Sequence, residues 1–205
     1  MSRATISSAR NAERGAGNLL PRDGEAYLFD RVLPPDEADR VFSDLLENVD
    51  WRQEQVSLFG RSMPVPRLTA WYGGHGYGYS GIRHEPAKPT MVIRAMQTTV
   101  ETLAGRRFNS VLLNLYRDGR DSMGWHSDDE AVLGPEPEIA SLSLGAVRRF
   151  HLKHRTLGER VALDLDHGSC LIMKGRCQAC WRHQLPKTRR KTGARINLTF
   201  RTIIG

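Results

Sequence analysis

Ligand-type side chains are concentrated in one short stretch, Gly-Trp-His-Ser-Asp-Asp-Glu at 124–130, between an apolar, strand-like run and a loop rich in proline and glycine. His126 and Asp128 stand two residues apart, and alternate side chains of a β-strand point to the same side. This pair could therefore bind one metal ion. An isolated His-x-Asp pair is more often a solvated strand end, so a third ligand is required.

His183 is the best candidate for that ligand, because it lies between the last two apolar runs while the other histidines lie in loops or charged runs. Two histidines and one carboxylate on one face of an ion leave three positions open. This arrangement suits non-haem Fe(II), which binds O2 and a bidentate cosubstrate. A zinc site formed by Cys170, Cys177, Cys180 and His183 is an alternative. The chain has no second Cys-x-x-Cys to support it.

The run 195–201, Arg-Ile-Asn-Leu-Thr-Phe-Arg, alternates polar and apolar residues. One face of this predicted strand carries Arg195, Asn197, Thr199 and Arg201. If the apolar face meets the core, the polar face lines a site, and its buried arginines need carboxylate or phosphate partners. An edge strand with exposed arginines is the alternative. Asn114 and Tyr116 repeat the alternation in the run 108–116.

Two helical patterns precede the strands. Apolar residues recur at helical spacing in 34–49, with a predicted cap at Asp36, and in 89–105, where Gly105 supplies a stop. From Phe108 onward, short apolar or alternating runs predict strands to the end of the chain. The order favours an α+β fold, a sandwich or jelly roll with two N-terminal helices packed on one sheet.

The chain has 205 residues and a formal net charge of +7, with charges scattered through its N-terminus. We expect a flexible, basic segment over 1–24 and a single domain over 25–205. No stretch has the apolar pattern of a signal peptide or membrane span, which predicts a cytoplasmic protein, and we expect a monomer. The excess of Lys and Arg favours a polyanionic partner, nucleic acid before anionic membrane.

These motifs resemble the AlkB-type Fe(II)/2-oxoglutarate dioxygenases, especially the branch that repairs alkylated DNA bases. The resemblance is most specific in Asn-Leu-Tyr followed by the 124–130 stretch, in "IASLSLGAVRRF", in the late His-x-Leu-Pro and in "RINLTFR". It implies a double-stranded β-helix (jelly roll) with Fe(II) held by His126, Asp128 and His183. It also implies demethylation of bases such as 1-methyladenine or 3-methylcytosine, coupled to 2-oxoglutarate decarboxylation and release of formaldehyde.

The resemblance further implies how the cosubstrate is bound. Arg195, helped by Tyr116 and Asn197, would pair with the C5 carboxylate of 2-oxoglutarate. Asn114 and Arg201 would lie near its C1 carboxylate.

On the substrate side, the resemblance implies that Tyr79 stacks on a flipped base and that Tyr77 forms a hydrogen bond nearby. Asp129 and Glu130 would approach the exocyclic amino group, and Phe59 would sit on a finger that probes a duplex. The remaining predicted contacts are Arg67 and a basic loop at 187–191 that includes Arg189, Arg190 and Lys191. The alternatives are surface packing of the tyrosines, solvated loop charges and a hairpin whose apolar residues pack inward.

Three classes of function follow: a DNA base demethylase, a relative acting on RNA or protein, and a noncatalytic nucleic-acid binder on the same fold. The third is disfavoured because a competent residue fills every predicted iron and cosubstrate position.

Overall fold

The computed structural model describes residues 17–58, 61–73, 77–79, 82–84 and 87–204. The helices within these ranges are α1 (Pro35–Asn48), α2 (Met91–Ala104) and the short α3 (Cys177–Cys180), with a 3-10 turn at Ala131–Leu133. The strands up to α2 are β1 (Glu25–Phe29), β2 (Gln55–Leu58), β3 (Arg61–Pro64), β4 (Leu68–Gly73), β5 (Tyr77–Tyr79) and β6 (Ile82–His84). The strands after α2 are β7 (Ser110–Tyr116), β8 (Met123–His126), β9 (Ile139–Gly145), β10 (Arg148–His154), β11 (Arg160–Leu165), β12 (Cys170–Lys174), β13 (Trp181–Leu185) and β14 (Arg195–Arg201).

Two antiparallel sheets form the body of the protein. The major sheet has six strands in the order β1-β12-β9-β14-β7-β4, and the minor sheet has four in the order β11-β10-β13-β8. Since β14 pairs with β7 on one side and β9 on the other, its polar residues lie in the middle of the major sheet. The edge-strand alternative for 195–201 is therefore wrong.

Helices α1 and α2 cover the outer face of the major sheet. Their buried residues Leu45, Ile93 and Val100 belong to one apolar cluster with Leu198 and other inward residues of β7, β9 and β14. A second apolar cluster fills the space between the sheets. The apolar residues of β14 thus meet the helices, and its polar residues turn toward the minor sheet.

The helix ends differ partly from expectation. The predicted cap at Asp36 is wrong, because α1 begins at Pro35 and Asp36 lies within its first turn. A carboxylate at this position stabilises the helix through the positive end of the helix dipole. Thr90 caps α2 by accepting the Ile93 N–H at 3.3 Å. Gly105 ends α2 in the left-handed conformation, as predicted, with φ of 68°.

Of the six strands before α2, only β2 and β3 were anticipated, through the hairpin alternative, and β1, β4, β5 and β6 were not predicted from the sequence. β1 and β4 complete the two edges of the major sheet, while β2 with β3 and β5 with β6 form separate hairpins. β4 lacks a polar alternation because its four central residues are all buried. A strand buried on both faces carries no period-2 signal.

Part of the N-terminal segment packs against the domain. Leu20 is 3% exposed, and Asn18 Oδ1 accepts the N–H groups of Leu20 and Ala26 at 3.1 and 2.9 Å. Residues 17–24 thus contact the domain through Leu20 and Asn18, and 1–16 lie outside the described residues. Across the described ranges, no helix is long and apolar enough to cross a membrane.

Candidate metal centre and cosubstrate pocket

His126 and His183 are direct neighbours on adjacent strands of the minor sheet, because the antiparallel register of β8 and β13 pairs these two residues. Their ring centroids are 4.1 Å apart. β8 ends at His126, so Asp128 lies beyond the strand, yet its carboxylate turns to the same point. The ligand atoms of the three side chains lie within 4.8 Å of one another.

Among the described residues, this is the only group of three or more His, Cys, Asp or Glu side chains placed to hold a metal ion. The alternative zinc site with Cys170, Cys177 and Cys180 is not formed. Burial raises the pKa of the Cys177 thiol to about 12, which disfavours the thiolate form that zinc requires.

The protonation states at this point suit cation binding. Burial lowers the pKa of His183 to about 3, and the positive charge of His126 acts in the same direction. Burial alone would raise the pKa of Asp128, but the charges of Arg201 and the two histidines lower it to about 2. At neutral pH the imidazole is neutral and the carboxylate is ionised, the forms that bind metal.

We expect the metal-free protein to lose stability as the pH falls below 6.5. Between that ordinary value and about 3, the folded state holds His183 neutral while the unfolded chain protonates it. The free energy of unfolding should therefore fall by up to about 1.4 kcal/mol per pH unit for this one group. Urea unfolding at pH 6.5 and 5 measures the slope, and His183→Gln should flatten it. An equal slope in both proteins would contradict the prediction.

Arg201 fixes the orientation of the Asp128 carboxylate. Its Nη2 donates to Asp128 Oδ1 at 2.6 Å, and both side chains are almost fully buried. Asp128 Oδ2 lies 3.6 Å from His183 Nε2, on the side of the two imidazoles. One carboxylate oxygen is thus held by the protein, and the other faces the candidate metal position.

A cavity beside these three residues lies between the two sheets. Its polar lining residues are Asn114, Tyr116, His126, Asp128, Ser141, His183, Arg195, Asn197, Thr199 and Arg201, and its apolar lining residues are Leu112, Met123, Phe150, Met173 and Leu185. The predicted metal ligands and the predicted cosubstrate residues therefore share one pocket.

Arg195 lies in this pocket without an acidic partner among the described residues. It is 2% exposed, its Nη2 donates to Ser143 Oγ at 2.9 Å, and its guanidinium carbon lies 5.4 Å from the Tyr116 ring centroid. Its buried Nε has no hydrogen-bond partner there. Burial lowers the pKa of Arg195 to about 10. A buried guanidinium in this state fits an anionic ligand.

The sequence profile of the 2OG-Fe(II) oxygenase superfamily matches residues 25–201. The chain belongs to this superfamily. It is 44% identical over 186 residues to the rat alpha-ketoglutarate-dependent dioxygenase alkB homolog 3, covering 86% of this chain and 63% of the relative. The chain thus spans just under two thirds of that relative's length.

The resemblance to AlkB-type dioxygenases is confirmed by further relatives. The human DNA oxidative demethylase ALKBH2 is 38% identical over 181 residues, covering 82% of this chain and 69% of the relative. The Arabidopsis thaliana protein of the same name is 34% identical over 228 residues, covering 96% of this chain and 72% of the relative. The solved structure of OsALKBH1 superimposes with a TM-score of 0.62 at 19% identity, covering 89% of this chain and all of the other, which confirms the jelly-roll fold.

Fe(II) and 2-oxoglutarate, the cofactor and cosubstrate of this superfamily, fit the pocket of this member. Two neutral imidazoles and an ionised carboxylate converge on one point. A buried arginine that lacks an acidic partner in the described part of the chain lies in the same cavity. The donor set matches a divalent cation and a dicarboxylate bound side by side.

Two predicted pocket residues have partners within the protein. Asn197 Nδ2 donates to Ser141 Oγ at 2.8 Å and to the Leu142 carbonyl at 3.0 Å, so both amide hydrogens are engaged. Asn114 Oδ1 accepts Arg67 Nε at 2.7 Å. Arg67, expected as a nucleic-acid contact beside the hairpin, is instead 5% exposed behind Asn114. That expectation of an exposed Arg67 is corrected.

The substrate-side predictions are only partly covered by the described residues. Asp129 is exposed and accepts Arg155 Nη2 at 2.6 Å, and Glu130 is half-buried before the 3-10 turn. Tyr77 and Tyr79 belong to β5, opposite His84 and Ile82. The side chains of both tyrosines, and Phe59 altogether, lie outside the described residues.

Sequence reasoning missed two buried polar residues that contact pocket-lining residues: Arg148 lies over the Tyr116 ring, and Gln178 contacts Asp128. Arg148 is 3% exposed and donates to the carbonyls of Asp118, Asp121 and Pro186. The alternation of β10, in which Arg148 and Phe150 turn inward, was a usable signal. Gln178 binds the Asp128 backbone at 3.0 Å from 50 residues away, and no local pattern points to it.

Proposed function

We propose that this protein oxidatively demethylates N-alkylated bases in nucleic acid, with DNA as the substrate. The main support is that the side chains of His126, Asp128 and His183 line the same cavity as the buried Arg195. The names of the relatives, which include a DNA oxidative demethylase, support a nucleic-acid substrate.

In this proposal His126, Asp128 and His183 hold Fe(II), and Arg195 pairs with the C5 carboxylate of 2-oxoglutarate beside the Tyr116 ring. Bound iron, with O2, supplies the oxidation, in which 2-oxoglutarate becomes succinate and CO2 and a hydroxylated N-methyl group leaves as formaldehyde. Arg201 keeps the Asp128 carboxylate ionised and oriented. The apolar wall, with Phe150 and Leu185, limits the access of water to the reacting atoms.

The basic loop at 187–191 supports a polyanionic substrate. It joins β13, which carries His183, to β14, and Lys187, Arg189, Arg190 and Lys191 are exposed. Within the described ranges, none of these four side chains forms an ion pair. The loop is held at its base, where the Thr188 N–H donates to the Gly119 carbonyl at 2.8 Å. Its cations are thus available to phosphates.

Neutralising Arg189, Arg190 and Lys191 together to Gln should weaken DNA binding regardless of sequence. The logarithm of the binding constant should depend less steeply on the logarithm of salt concentration, by about 0.9 for each phosphate that the loop no longer neutralises. Cosubstrate affinity should not change, because these side chains lie outside the cavity. Fluorescence anisotropy at several salt concentrations measures the slope. An unchanged slope would mean that the loop is only a solvated surface.

A hairpin beside the domain supports a duplex substrate. β2 and β3 pair only with each other among the described strands, and Met63, opposite Val56, is 50% exposed. Phe59, which follows β2 in the sequence and lies outside the described residues, would fill the gap left by a flipped base. We expect Phe59→Ala to reduce repair of a methylated duplex more than repair of the same lesion in a single strand. Equal losses, or a stability loss of about 3–5 kcal/mol as for a core Phe, would contradict this role.

Comparing substrate classes tests the proposal. The protein with Fe(II) and 2-oxoglutarate is incubated with DNA and RNA oligonucleotides carrying 1-methyladenine or 3-methylcytosine, and formaldehyde is measured. We expect release from methylated DNA and none from the unmethylated oligonucleotides. Release from RNA alone would replace DNA by RNA as the substrate, and release from neither would contradict base demethylation.

A further inference from the structure

Asp128 differs from the two histidines in how its backbone is held. His126 and His183 are cross-strand partners, so the ladder between β8 and β13 fixes their positions. Asp128 lies two residues beyond the end of β8, and its backbone N–H donates to a side chain, Gln178 Oε1, at 3.0 Å. The position of this carboxylate therefore depends on contacts from outside the ladder.

Gln178 is a buried amide whose acceptor is used for this one contact. It is 1% exposed, and its Nε2 lies 3.8 Å from Met173 Sδ, a weak acceptor. Burying an amide is costly unless its polar atoms are bonded. A residue that served only to fill this space could be apolar, so the amide is better explained by its bond to Asp128.

The short helix α3 that carries Gln178 is itself held by contacts with Arg22 and Gly24. Trp181 Nε1, directly after α3, donates to the Arg22 carbonyl at 3.1 Å. Gly24 packs so closely on α3 that a Cβ atom there would lie 2.6 Å from the Cys177 nitrogen. Arg22 and Gly24 thus hold α3 in place, and Gln178 has little freedom to follow a displaced Asp128.

Arg155 ties the neighbours of Asp128 to the same helix. Its Nη2 lies 2.8 Å from Ser127 Oγ and 2.6 Å from Asp129 Oδ2, and 3.3 Å from the Gln178 carbonyl. The residues on both sides of Asp128 are therefore bound to one guanidinium. Arg155 anchors the loop, while Gln178 contacts the backbone of Asp128 itself.

We propose that Gln178 is a positioning residue for Asp128. By holding the Asp128 N–H, it keeps Oδ2 directed at the two imidazoles while Arg201 holds Oδ1, and so it sets the affinity of the site for a divalent cation. The inference rests on the proposed function for the assignment of Asp128 as a metal ligand. Loss of an outer partner of a metal ligand typically costs about 10–100-fold in metal affinity.

The test is a titration of Co(II) alone into the metal-free protein, followed by visible absorption. Gln178→Met keeps the length of the side chain and removes the oxygen acceptor, so the Co(II) dissociation constant should rise at least about tenfold. Gln178→Glu keeps an oxygen at the same reach and should restore most of the affinity.

Gln97→Met is the matched control for a merely structural role. Gln97 Nε2 donates to the Phe108 carbonyl and to Glu101 Oε1 from α2, on the far side of the major sheet from the pocket. This variant should lower the melting temperature without changing the Co(II) affinity. A change in Co(II) affinity as large as that of Gln178→Met would overturn a specific role for Gln178.

A folded Gln178→Met protein with wild-type Co(II) affinity would also overturn the proposal. If Gln178→Met does not fold, the Co(II) affinity of Gln178→Asn is measured instead. The shorter amide cannot reach the Asp128 N–H, so this variant should bind Co(II) more weakly than wild type, and wild-type affinity would overturn the proposal. Failure of the metal assignment gives a different result: wild-type protein that binds no Co(II), or whose Co(II) binding survives His126→Ala.

Discussion

His126→Ala, Asp128→Ala and His183→Ala should each reduce succinate formation from 2-oxoglutarate to background. Removing any one side chain leaves two ligands at a point where three converge within 4.8 Å, too few to retain the ion during turnover. His126→Ala is the cleanest variant, because His126 is the least buried of the three. Succinate is measured with saturating Fe(II), and circular dichroism checks the fold.

A more conservative substitution of Asp128 is also needed, because Asp128→Ala removes the carboxylate that Arg201 contacts at 2.6 Å. Breaking a buried ion pair costs about 3–5 kcal/mol, which can unfold the protein. Asp128→Asn keeps an oxygen for Arg201 and should still lose turnover. His151→Ala is the matched control, a β10 histidine on the outer face of the minor sheet. Wild-type succinate yield from any ligand variant would remove that residue from the iron site.

Arg195→Lys should raise the concentration of 2-oxoglutarate needed for half-maximal turnover by about 10–100-fold. Lysine keeps the positive charge but cannot make the two parallel hydrogen bonds of a guanidinium to a carboxylate. A hydrogen bond to a charged group is worth about 1.5–3 kcal/mol, which gives this range. The buried position beside Tyr116 also leaves little water to replace the missing hydrogen bond.

The effect should appear in cosubstrate affinity and not in iron affinity, because the guanidinium of Arg195 has only hydrogen-bond donors and cannot be a metal ligand. Arg149→Lys is the matched control, since Arg149 is exposed on β10 and pairs with Asp164 at 2.9 Å. It should leave the 2-oxoglutarate requirement unchanged. Equal requirements in Arg195→Lys and wild type would contradict the assignment of the C5 carboxylate.

The parts of the fold and site that could be predicted from the sequence are those with a local signal. The alternation within 195–201 is a property of one strand, and it was enough to predict that Arg195, Asn197, Thr199 and Arg201 share one face. The spacing of His126 and Asp128 is equally local. The same holds for the stop at Gly105, where the left-handed conformation favours glycine.

Features that depend on distant partners could not be predicted in this way. β4 is an edge strand whose four central residues are all buried, and its sequence lacks the alternation of a half-exposed strand. Arg67 was expected as a nucleic-acid contact, but Asn114, 47 residues away, binds it in the interior. Gln178 likewise becomes significant only when folding brings α3 against Asp128.

A single-turnover experiment tests the central claim most directly. The protein is loaded anaerobically with one equivalent each of Fe(II), 2-oxoglutarate and a DNA oligonucleotide carrying 1-methyladenine, and O2 is then admitted. We predict equal amounts of succinate and formaldehyde, one of each per iron, and neither product from His126→Ala. Succinate without formaldehyde, or formaldehyde that persists in His126→Ala, would contradict the assignment of this pocket as a base-demethylating iron site.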